Sequence, residues 1–474
     1  MLFYSPAFLV FTLILLAVLG IVHRSEPRKL VLLIASYIFY MWWNPAFILL
    51  IMFSTAVDFF IGARMDAEET KRKRTILLLI SMASNLGLLF FFKYFGLFTD
   101  SLLGLMRMMG SEPSWTTLNI TLPVGISFYT FQTMSYTIDL YRRKIKATRS
   151  PLDFALFVAF FPQLVAGPIV RAAVFLPQLD NPIRLRCDQR TVFLLLRGFA
   201  KKVLIADNIA ILVDGVFANP EAWPSFIIWV ATIGFAIQIY CDFSGYSDIA
   251  IAIARILGFK LPRNFKHPYI ARNPSDFWER WHISLSSWLR DYLYISLGGN
   301  RQGSLLTYRN LMLTMLLGGL WHGASWNFLL WGFLHGSILI GHRFFTGKKS
   351  KPPSENPAVV LASVVLMQYC VLITWISFRL TDFEDMKIAM YKFIAFDFDF
   401  SIAGIGLGNL SFFSSILLMM IFVALQAISV RVNDIDRYLG TIKPSKALLI
   451  CALFGFAAFF LWPLEQAPFI YFQF

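Results

Sequence analysis

Charged side chains are scarce in this sequence. Of its 474 residues, 15% are Asp, Glu, Lys or Arg and 57% are hydrophobic, whereas soluble domains average about 25% charged and about 45–50% apolar residues. Together with a mean hydropathy of +0.63, this excludes an ordinary soluble globular protein. The long apolar runs approach the roughly 20 residues that a transmembrane helix needs, and short basic loops separate them. The sequence therefore predicts an all-α polytopic membrane protein.

Several other features are missing. No linker rich in proline, glycine and serine, no internal repeat and no low-complexity segment interrupts residues 1–474, so a single membrane domain is predicted. The four cysteines lie far apart and form no metal-binding or redox spacing. The chain lacks a zinc motif, a P-loop, a nucleotide fingerprint and a Gly-x-Ser-x-Gly elbow. We therefore expect neither a metal site nor a bound cofactor.

Acidic residues are fewer than basic ones, which leaves a net charge of +14. Such an excess is typical either of nucleic-acid binding or of cytoplasmic loops in a membrane protein. The second interpretation is favoured, so membrane lipid is the expected partner and nucleic acid is not. Residues 2–22 lack a basic leader and a cleavage site, and we interpret them as a retained span. Placing the basic loops in the cytoplasm puts both termini outside; these loops are residues 24–29, 64–74, 142–149, 343–351 and 431–446.

Three segments depart from the pattern of simple spans, and the first is residues 154–170. It contains Pro162 and the sequence Ala166-Gly167-Pro168. Proline removes a backbone donor and kinks or ends a helix, and lipid tolerates such breaks only inside protein or beside a water-filled cavity. The segment therefore predicts a re-entrant hairpin, with an ordinary kinked span as the alternative.

The second segment, residues 274–297, has the periodicity of an amphipathic helix. One face carries Trp278, Trp281, Leu285, Trp288 and Tyr292, and the opposite face carries Glu279, His282, Ser286 and Arg290. Its tryptophans indicate a position at the membrane interface or against the helix bundle. On this interpretation alone, His282 is a solvated residue of the polar face.

The third segment, residues 310–341, is shorter than the roughly 40 residues that two crossings require. Gly318-Gly319 and Gly323 interrupt it near its middle. This pattern predicts a hairpin or broken helix whose turn lies at membrane depth, with Trp321 and His322 at the apex.

His322 is the leading candidate for chemistry among the six histidines. An ionisable group at membrane depth indicates function, and an imidazole with a pKa near about 6.5 accepts and returns a proton near neutrality. The alternative is a histidine that merely hydrogen-bonds a neighbouring helix. His335 lies deeper in a regular helical pattern. Asp242 and Asp248 flank a run of small residues, which suggests cavity lining, and helix capping or interhelical pairing fits the pattern at least as well.

Five stretches resemble the signature motifs of the membrane-bound O-acyltransferase family. They are residues 160–168, 240–248, 274–294 (PSDFWERWHISLSSWLRDYLY), 318–327 (GGLWHGASWN) and 331–336 (WGFLHG). The similarity extends over nearly the whole chain, to the final residues PFIYFQF. Within the family, residues 297–301 (LGGNR) and the terminal Phe-Gln-Phe favour the bacterial alginate O-acetyltransferase branch, with its peptidoglycan and cellulose counterparts, over the branch that transfers D-alanine to lipoteichoic acid.

The resemblance implies a fold and a site. The fold is a ring of about 11 or more transmembrane helices, with re-entrant and amphipathic helices, around a central pore or funnel. The essential histidine of the family matches His322 and its second motif histidine matches His282, so both are predicted to be catalytic. The candidates for lining the substrate channel are Trp321, Asn327, His335, Asp242, Asp248, Glu279, Arg280 and Arg290.

The resemblance also implies a reaction. An acetyl group would move from a cytoplasmic thioester, most simply acetyl-CoA, across the bacterial inner membrane to an exported polysaccharide such as alginate, cellulose or peptidoglycan. His322 would act as general base, and periplasmic acetyltransferase proteins are the expected partners. The first acceptor is either a sugar or a side chain of such a partner. The alternatives are transfer of D-alanine or another acyl group to an envelope polymer, and non-catalytic transport of a polar substrate.

Overall fold

The computed structural model describes the chain except for residues 112–115, 119, 166, 348–354, 402–408, 433–434, 464–468 and 471–474. The described residues form helices and connecting loops and contain no β-strand, which confirms the all-α prediction. They fall into two compact units. The first comprises Met1–Cys187 and Ala250–Pro262, and the second comprises Asp188–Ile249 and Arg263–Phe474. The predicted single membrane domain stays a prediction.

The helices follow one another with short connections. The first nine are α1 (Pro6–Ile21), α2 (Ser25–Met41), α3 (Ile48–Ala67), α4 (Lys71–Leu89), α5 (Phe95–Met108), α6 (Ile126–Tyr141), α7 (Pro151–Ala159), α8 (Phe161–Leu164) and α9 (Ala172–Leu179). The next six are α10 (Gln189–Phe199), α11 (Asp207–Phe217), α12 (Ser225–Ile256), α13 (Pro274–Arg280), α14 (Ile283–Trp288) and α15 (Ser304–His322). The last six are α16 (Trp326–Thr346), α17 (Pro357–Arg379), α18 (Phe383–Ile394), α19 (Asn409–Val432), α20 (Ile435–Leu439) and α21 (Pro444–Leu461). Short π-helical segments, Phe90–Tyr94, Ala200–Ala206 and Leu289–Tyr294, continue α4, α10 and α14.

Within the described residues, seven helical segments are long and apolar enough to cross a membrane. They are Pro45–Ala67, Lys71–Met108, Ser225–Ile256, Trp326–Thr346, Pro357–Arg379, Phe412–Val432 and Pro444–Leu461. The multi-pass prediction is therefore confirmed. Helix α1, for which a span over residues 2–22 was expected, has 16 residues and is shorter than these segments. The ring of about 11 or more spans and its central pore remain predictions.

The segment over residues 154–170 is broken, but not as a kinked span. Helix α7 ends at Ala159, Phe160 leaves the helical conformation, and the four-residue α8 begins at Phe161. Pro162 lies in the first turn of α8, where its missing N–H is not needed. Gln163 turns back and donates a hydrogen bond to the Phe157 carbonyl, 2.6 Å away. The proline therefore starts a new helix instead of kinking one.

Helix α12 is continuous across residues 242–248, where the run of small residues suggested a break. The small residue serves close packing instead. A Cβ atom at Gly245 would lie 2.7 Å from the carbonyl oxygen of Gly198, at the end of α10. The cavity-lining interpretation of Asp242 and Asp248 assumed a broken backbone, and a regular helix removes that premise.

Both aspartates of α12 are instead paired with cations from the helical segment that α10 begins. Asp248 accepts hydrogen bonds from Arg197 and Lys201, at 2.8–3.0 Å. Lys202 Nζ lies 2.7 Å from Asp242 Oδ1 and 2.8 Å from Asp207 Oδ1. The interhelical-pairing interpretation is therefore the one that the structure bears out.

Lys202, which lies between the carboxylates of Asp207 and Asp242, belongs to the most deeply buried ionic group among the described residues of the second unit. The side chains of Lys202, Asp207 and Asp242 are 1%, 2% and 4% exposed, respectively. One positive and two negative charges leave an excess negative charge, and burying an uncompensated charge is costly. Burial raises the pKa of Asp207, which lies outside the seven membrane-crossing segments, to about 7. A proton on Asp207 would cancel the excess charge.

We predict that this proton makes stability depend on pH. Because the folded-state pKa of Asp207 is raised from 3.8 to about 7, its contribution is complete at low pH and is lost as the pH rises through about 7. Asp207→Asn mimics the protonated form. The melting temperature of the wild-type protein relative to this variant should fall between about pH 4 and about pH 7.

Asp214→Asn is the matched control, because Asp214 also lies on α11 but its side chain is 56% exposed. This control should follow the wild-type pH profile. Lys202→Met should destabilise the protein by about 3–5 kcal/mol, because it removes the buried cation that pairs with the Asp242 carboxylate. Parallel profiles for Asp207→Asn and the wild type would refute the protonated Asp207.

Candidate active site

A helical hairpin carries His322. Helices α15 and α16 pack against each other, residues 323–325 connect them, and His322 is the last residue of α15. The prediction of a hairpin with Trp321 and His322 at its apex is confirmed. The hairpin is longer than the segment expected for it, because its helices extend to Ser304 and Thr346 and enclose Arg309 and Arg343. Of its two helices, α16 is among the seven membrane-crossing segments and α15 is not, and the position of the turn at membrane depth stays a prediction. Long arginine stems bury their apolar part along a helix, so these residues do not mark helix ends.

Glycines bring the two arms of the hairpin into backbone contact. A Cβ atom on Gly319 would lie 2.1 Å from the carbonyl oxygen of Phe328, and one on Gly332 would lie 2.4 Å from that of Met315. Both distances are far shorter than real contacts permit, so neither position accepts a side chain. The glycines that suggested broken backbone therefore fix the arms of a regular hairpin, and this packing sets the position of His322.

The amphipathic helix predicted for residues 274–297 is wrong. Helix α13 ends at Arg280, Trp281 is extended, and His282 has φ +41° before α14 begins at Ile283. The prediction from the tryptophan spacing assumed a continuous helix. Because the helix breaks at Trp281 and His282, the residues before and after the break do not share the predicted aromatic and polar faces. His282 is 0% exposed instead of solvated.

Asn264 holds the chain at this break. Its backbone carbonyl accepts a hydrogen bond from the Ile283 N–H at 2.8 Å, and its side-chain Oδ1 accepts one from the Ser284 hydroxyl at 2.6 Å. Its Nδ2 donates to the hydroxyl of Ser247 on α12, 3.2 Å away. A non-glycine residue in the left-handed region persists only where surrounding contacts impose it. These hydrogen bonds supply that constraint, and they fix His282 relative to α12.

The two motif histidines come together. Their ring centroids are 6.4 Å apart, and Trp321 lies 5.8 Å from His282 and 5.1 Å from His322. Phe243 of α12 packs edge-on against His282 at 4.6 Å. This arrangement gathers residues from α12, the α13–α14 break and the hairpin into one cluster.

A further set of aromatic rings encloses His322. Trp331 lies 4.9 Å from it and Phe378 of α17 lies 5.4 Å from it, both edge-on. His335 contacts Trp331 at 4.6 Å and Trp278 at 5.0 Å. His322 is 5% exposed and His335 is 1% exposed. The three histidines therefore share one aromatic, largely dehydrated environment.

Burial sets the charge state of His282. Because a charged imidazolium loses its hydration there, burial lowers the pKa of His282 to about 3. The residue lies outside the seven membrane-crossing segments. At neutral pH it is a neutral imidazole, with one nitrogen able to donate a hydrogen bond and the other able to accept one. It is suited to hydrogen bonding and positioning, and not to serving as a positive charge.

The other predicted channel residues are dispersed. Asn327 is buried and donates to the Leu380 carbonyl, which ties the start of α16 to the end of α17. Glu279 is exposed, Arg280 pairs with Asp276 at the end of α13, and Arg290 is exposed and pairs with its neighbour Asp291. Of the eight candidates, Trp321 and His335 lie in the aromatic cluster around the histidines. A role of any of them in a substrate channel stays a prediction.

Sequence reasoning missed two residues that shape the site. Phe378 contacts His322 from α17, 56 residues downstream in the sequence, and no local pattern marks it. Asn264 lies in the loop before α13, and its part in holding His282 becomes visible only when its tertiary partners are known. Among the described residues, no group of three or more His, Cys, Asp or Glu is placed to bind a metal ion.

Comparison with known proteins finds the family that the sequence motifs resemble. The model of the membrane-bound O-acyltransferase family matches residues 141–383, which include all three clustered histidines. A probable alginate O-acetylase of Pseudomonas putida is 43% identical over 383 residues, covering 80% of this chain and 77% of the relative. A peptidoglycan O-acetyltransferase of Helicobacter pylori is 36% identical, covering 75% and 72%. A teichoic acid D-alanyltransferase of Streptococcus thermophilus is 26% identical, covering 54% and 68%.

The glycine contacts predict a sharp difference between two substitutions on α16. Gly332→Ala should lower the melting temperature and abolish any activity of His322, because its methyl group would force the hairpin arms apart. Gly341→Ala is the matched control, since a Cβ there meets no atom within 4 Å. Alanine also favours a helix by about 1 kcal/mol over glycine, so the control should be neutral or stabilising. Equal effects of the two variants on thermal unfolding would contradict the contact.

Proposed function

Because this chain belongs to the membrane-bound O-acyltransferase family, we propose that it transfers an acetyl group from a thioester to a hydroxyl group in the synthesis of an exported polysaccharide. One observation carries the proposal. His322 and His282 lie with ring centroids 6.4 Å apart inside an aromatic enclosure at the end of the α15–α16 hairpin. Acyl transfer from a thioester needs a base for the incoming hydroxyl and a site that admits little water.

The names of the relatives support the acetyl group and the polymer. Two of them, at 43% and 36% identity, are named as O-acetylating enzymes that act on alginate and on peptidoglycan. The relative named for D-alanine transfer is less similar, at 26% identity over about half of this chain. We therefore favour acetyl over D-alanyl transfer and a polysaccharide as the final acceptor, with a cellulose-type polymer as a further alternative.

The donor in this proposal is a cytoplasmic acetyl thioester, most simply acetyl-CoA, and it is a substrate rather than a bound cofactor. The acceptor approaches from the periplasm, either as the sugar hydroxyl itself or as a side chain of a periplasmic acetyltransferase partner. Basic loops predicted to face the cytoplasm support this direction, because an inner-membrane protein concentrates its lysines and arginines there. Trp321 and His335, the two channel candidates that lie in the aromatic cluster around the histidines, would line the route to His322.

The chemistry assigns a proton to each step. A nitrogen of His322 takes the proton of the acceptor hydroxyl as its oxygen attacks the thioester carbon. A carbon–oxygen bond forms, the carbon–sulfur bond breaks, and the leaving thiolate takes the proton back from His322. His282, neutral because burial lowers its pKa to about 3, orients a reacting group or the His322 ring. Aromatic rings around the histidines limit competing hydrolysis of the thioester.

Reconstitution tests this function. Purified protein in liposomes receives labelled acetyl thioester on one side and the polysaccharide acceptor or partner protein on the other. We expect label to reach the acceptor with the wild-type protein and transfer to fall at least about 10³-fold in His322→Ala, since the base is lost. His342→Ala on the same hairpin, a half-buried position, is the matched control and should retain activity.

The two competing functions give different results in this assay. A transporter would move a polar substrate in the His322→Ala variant and would transfer no acetyl label. A D-alanyl transferase would label the acceptor from a D-alanyl thioester and leave it unlabelled from the acetyl one. Transfer that survives His322→Ala in a folded protein would remove the proposed base.

The proposed topology places both termini in the periplasm and the 343–351 loop in the cytoplasm. In a cysteine-free background, single cysteines introduced at Thr346 and at Ser5 test it in intact cells. A membrane-impermeant thiol reagent added outside should label the Ser5 position and spare the Thr346 position until the cells are opened. Labelling of the Thr346 position from outside would reverse the orientation.

A further inference from the structure

Three ring nitrogens beside His322 lie buried without a hydrogen-bond acceptor or donor. They are Trp331 Nε1, Trp278 Nε1 and His335 Nε2, and none of them has a hydrogen-bond partner within the described part of the chain. Trp331 is 2% exposed and His335 is 1% exposed. The three rings contact one another edge-on, with centroids 4.6–5.8 Å apart. Three neighbouring rings of the aromatic cluster therefore each contain a polar atom without a hydrogen-bond partner.

Such atoms are costly to leave unpaired. A buried polar group without a partner costs about 1–3 kcal/mol, and native proteins contain few of them. An indole N–H is a donor and has no acceptor capacity, so Trp331 requires an oxygen or another acceptor from outside the cluster. The neighbouring imidazoles of His322 and His335 contain acceptor nitrogens, but neither accepts a hydrogen bond from Trp331 Nε1 in the structure. A group of this kind beside a reactive histidine is suited to a ligand oxygen.

The position of Trp331 favours one ligand oxygen. Its ring is 4.9 Å from His322 and 4.6 Å from His335, so it bridges the proposed base and the third histidine. A hydroxyl oxygen bound to an imidazole nitrogen lies about 2.8 Å from it, and the carbonyl oxygen of an attacked acyl group lies about two bonds further. An adjoining indole ring at this spacing can place its N–H on that carbonyl oxygen.

We propose that Trp331 is a catalytic residue whose Nε1–H binds the acyl carbonyl oxygen as it becomes negatively charged. The inference rests on the proposed acyl transfer. When the acceptor oxygen bonds to the acyl carbon, the carbonyl π electrons move to the carbonyl oxygen, and His322 holds the acceptor's proton. The electrons then re-form the carbonyl, the carbon–sulfur bond breaks, and the thiolate leaves with the proton from His322. Trp331 donates to the oxygen throughout and exchanges no proton.

The contacts of Trp331 explain why one donor would be effective. Trp278 and His335 pack edge-on against it, and Phe378 lies 5.6 Å away, so the indole is held before the reaction begins. Preorganised donors in a site with little water stabilise developing charge more than flexible ones do, and loss of one lowers kcat by about 10²–10³-fold. Substrate binding itself depends little on such a donor, because the charge is absent in the ground state.

The experiment compares variants that retain a ring. Trp331→Phe removes the N–H and keeps most of the apolar surface. We expect kcat for acetyl transfer to fall by about 10²-fold or more, with KM for the thioester within about threefold of wild type. Trp331→His restores a ring N–H on a smaller side chain and should bring kcat back to within about tenfold of wild type.

Trp375→Phe is the matched control. Trp375 is an equally buried indole of the same aromatic cluster, 1% exposed, and it lies 6.4 Å from Trp331. Its loss should change kcat by less than about threefold. Melting temperatures are measured for each variant. If Trp331→Phe does not fold, the comparison of Trp331→His with wild type decides: a kcat loss within about tenfold supports the donor role, and a larger loss overturns it.

Three results would overturn the inference. They are a kcat of Trp331→Phe within about threefold of wild type, a rise in KM with unchanged kcat, and an equal loss in Trp375→Phe. Failure of the proposed function has a different signature, since the wild-type protein would then transfer no acetyl group at all.

Discussion

A lysine buried between two carboxylates is the interaction on which the second unit depends most. Lys202 contacts Asp207 and Asp242, and the second oxygen of Asp242 accepts a hydrogen bond from the backbone N–H of Ile470 at 2.7 Å. Three chain segments far apart in sequence therefore meet at one desolvated charge. Since an ion in such surroundings must keep its partners, these segments cannot separate without exposing or stranding it. Asp242 precedes Phe243, and Phe243 packs against His282.

The site adds aromatic surface to this ionic anchor. Helix α12 supplies Phe243 and Ser247, the hairpin supplies His322 and Trp331, and α17 supplies Phe378. Rings limit the access of water, whereas hydrogen bonds from Asn264 set the backbone at His282. Polar atoms are few and placed at specific points, as in most sites that bind small molecules. Close contact between helices at glycines makes the site rigid. The ring nitrogens of the histidines and tryptophans are the groups that can take part in the reaction.

Local patterns predicted the features that are themselves local. The glycine pairs around His322 indicated a hairpin, and hydropathy indicated most of the long spans. Patterns failed where tertiary contacts decide the outcome. The tryptophans of residues 274–297 have helical spacing, yet Asn264 holds a break in their middle. The small residues around Gly245 are compatible with a broken helix or with close packing, and only the position of Gly198 on the facing segment distinguishes the two. Charged residues near the hairpin ends made it look shorter than it is.

The left-handed backbone at His282 restricts what the chain can place there. With φ +41°, the position favours glycine, asparagine or aspartate on conformational grounds and disfavours valine or isoleucine strongly. The histidine at this position carries some backbone strain. Its ring contributes to the site, whereas its backbone must adopt the left-handed conformation. A full set of substitutions at this position would therefore rank the side chains differently by stability and by activity. Glycine or asparagine would be easiest to fold, and only an imidazole would also supply the ring nitrogens of His282.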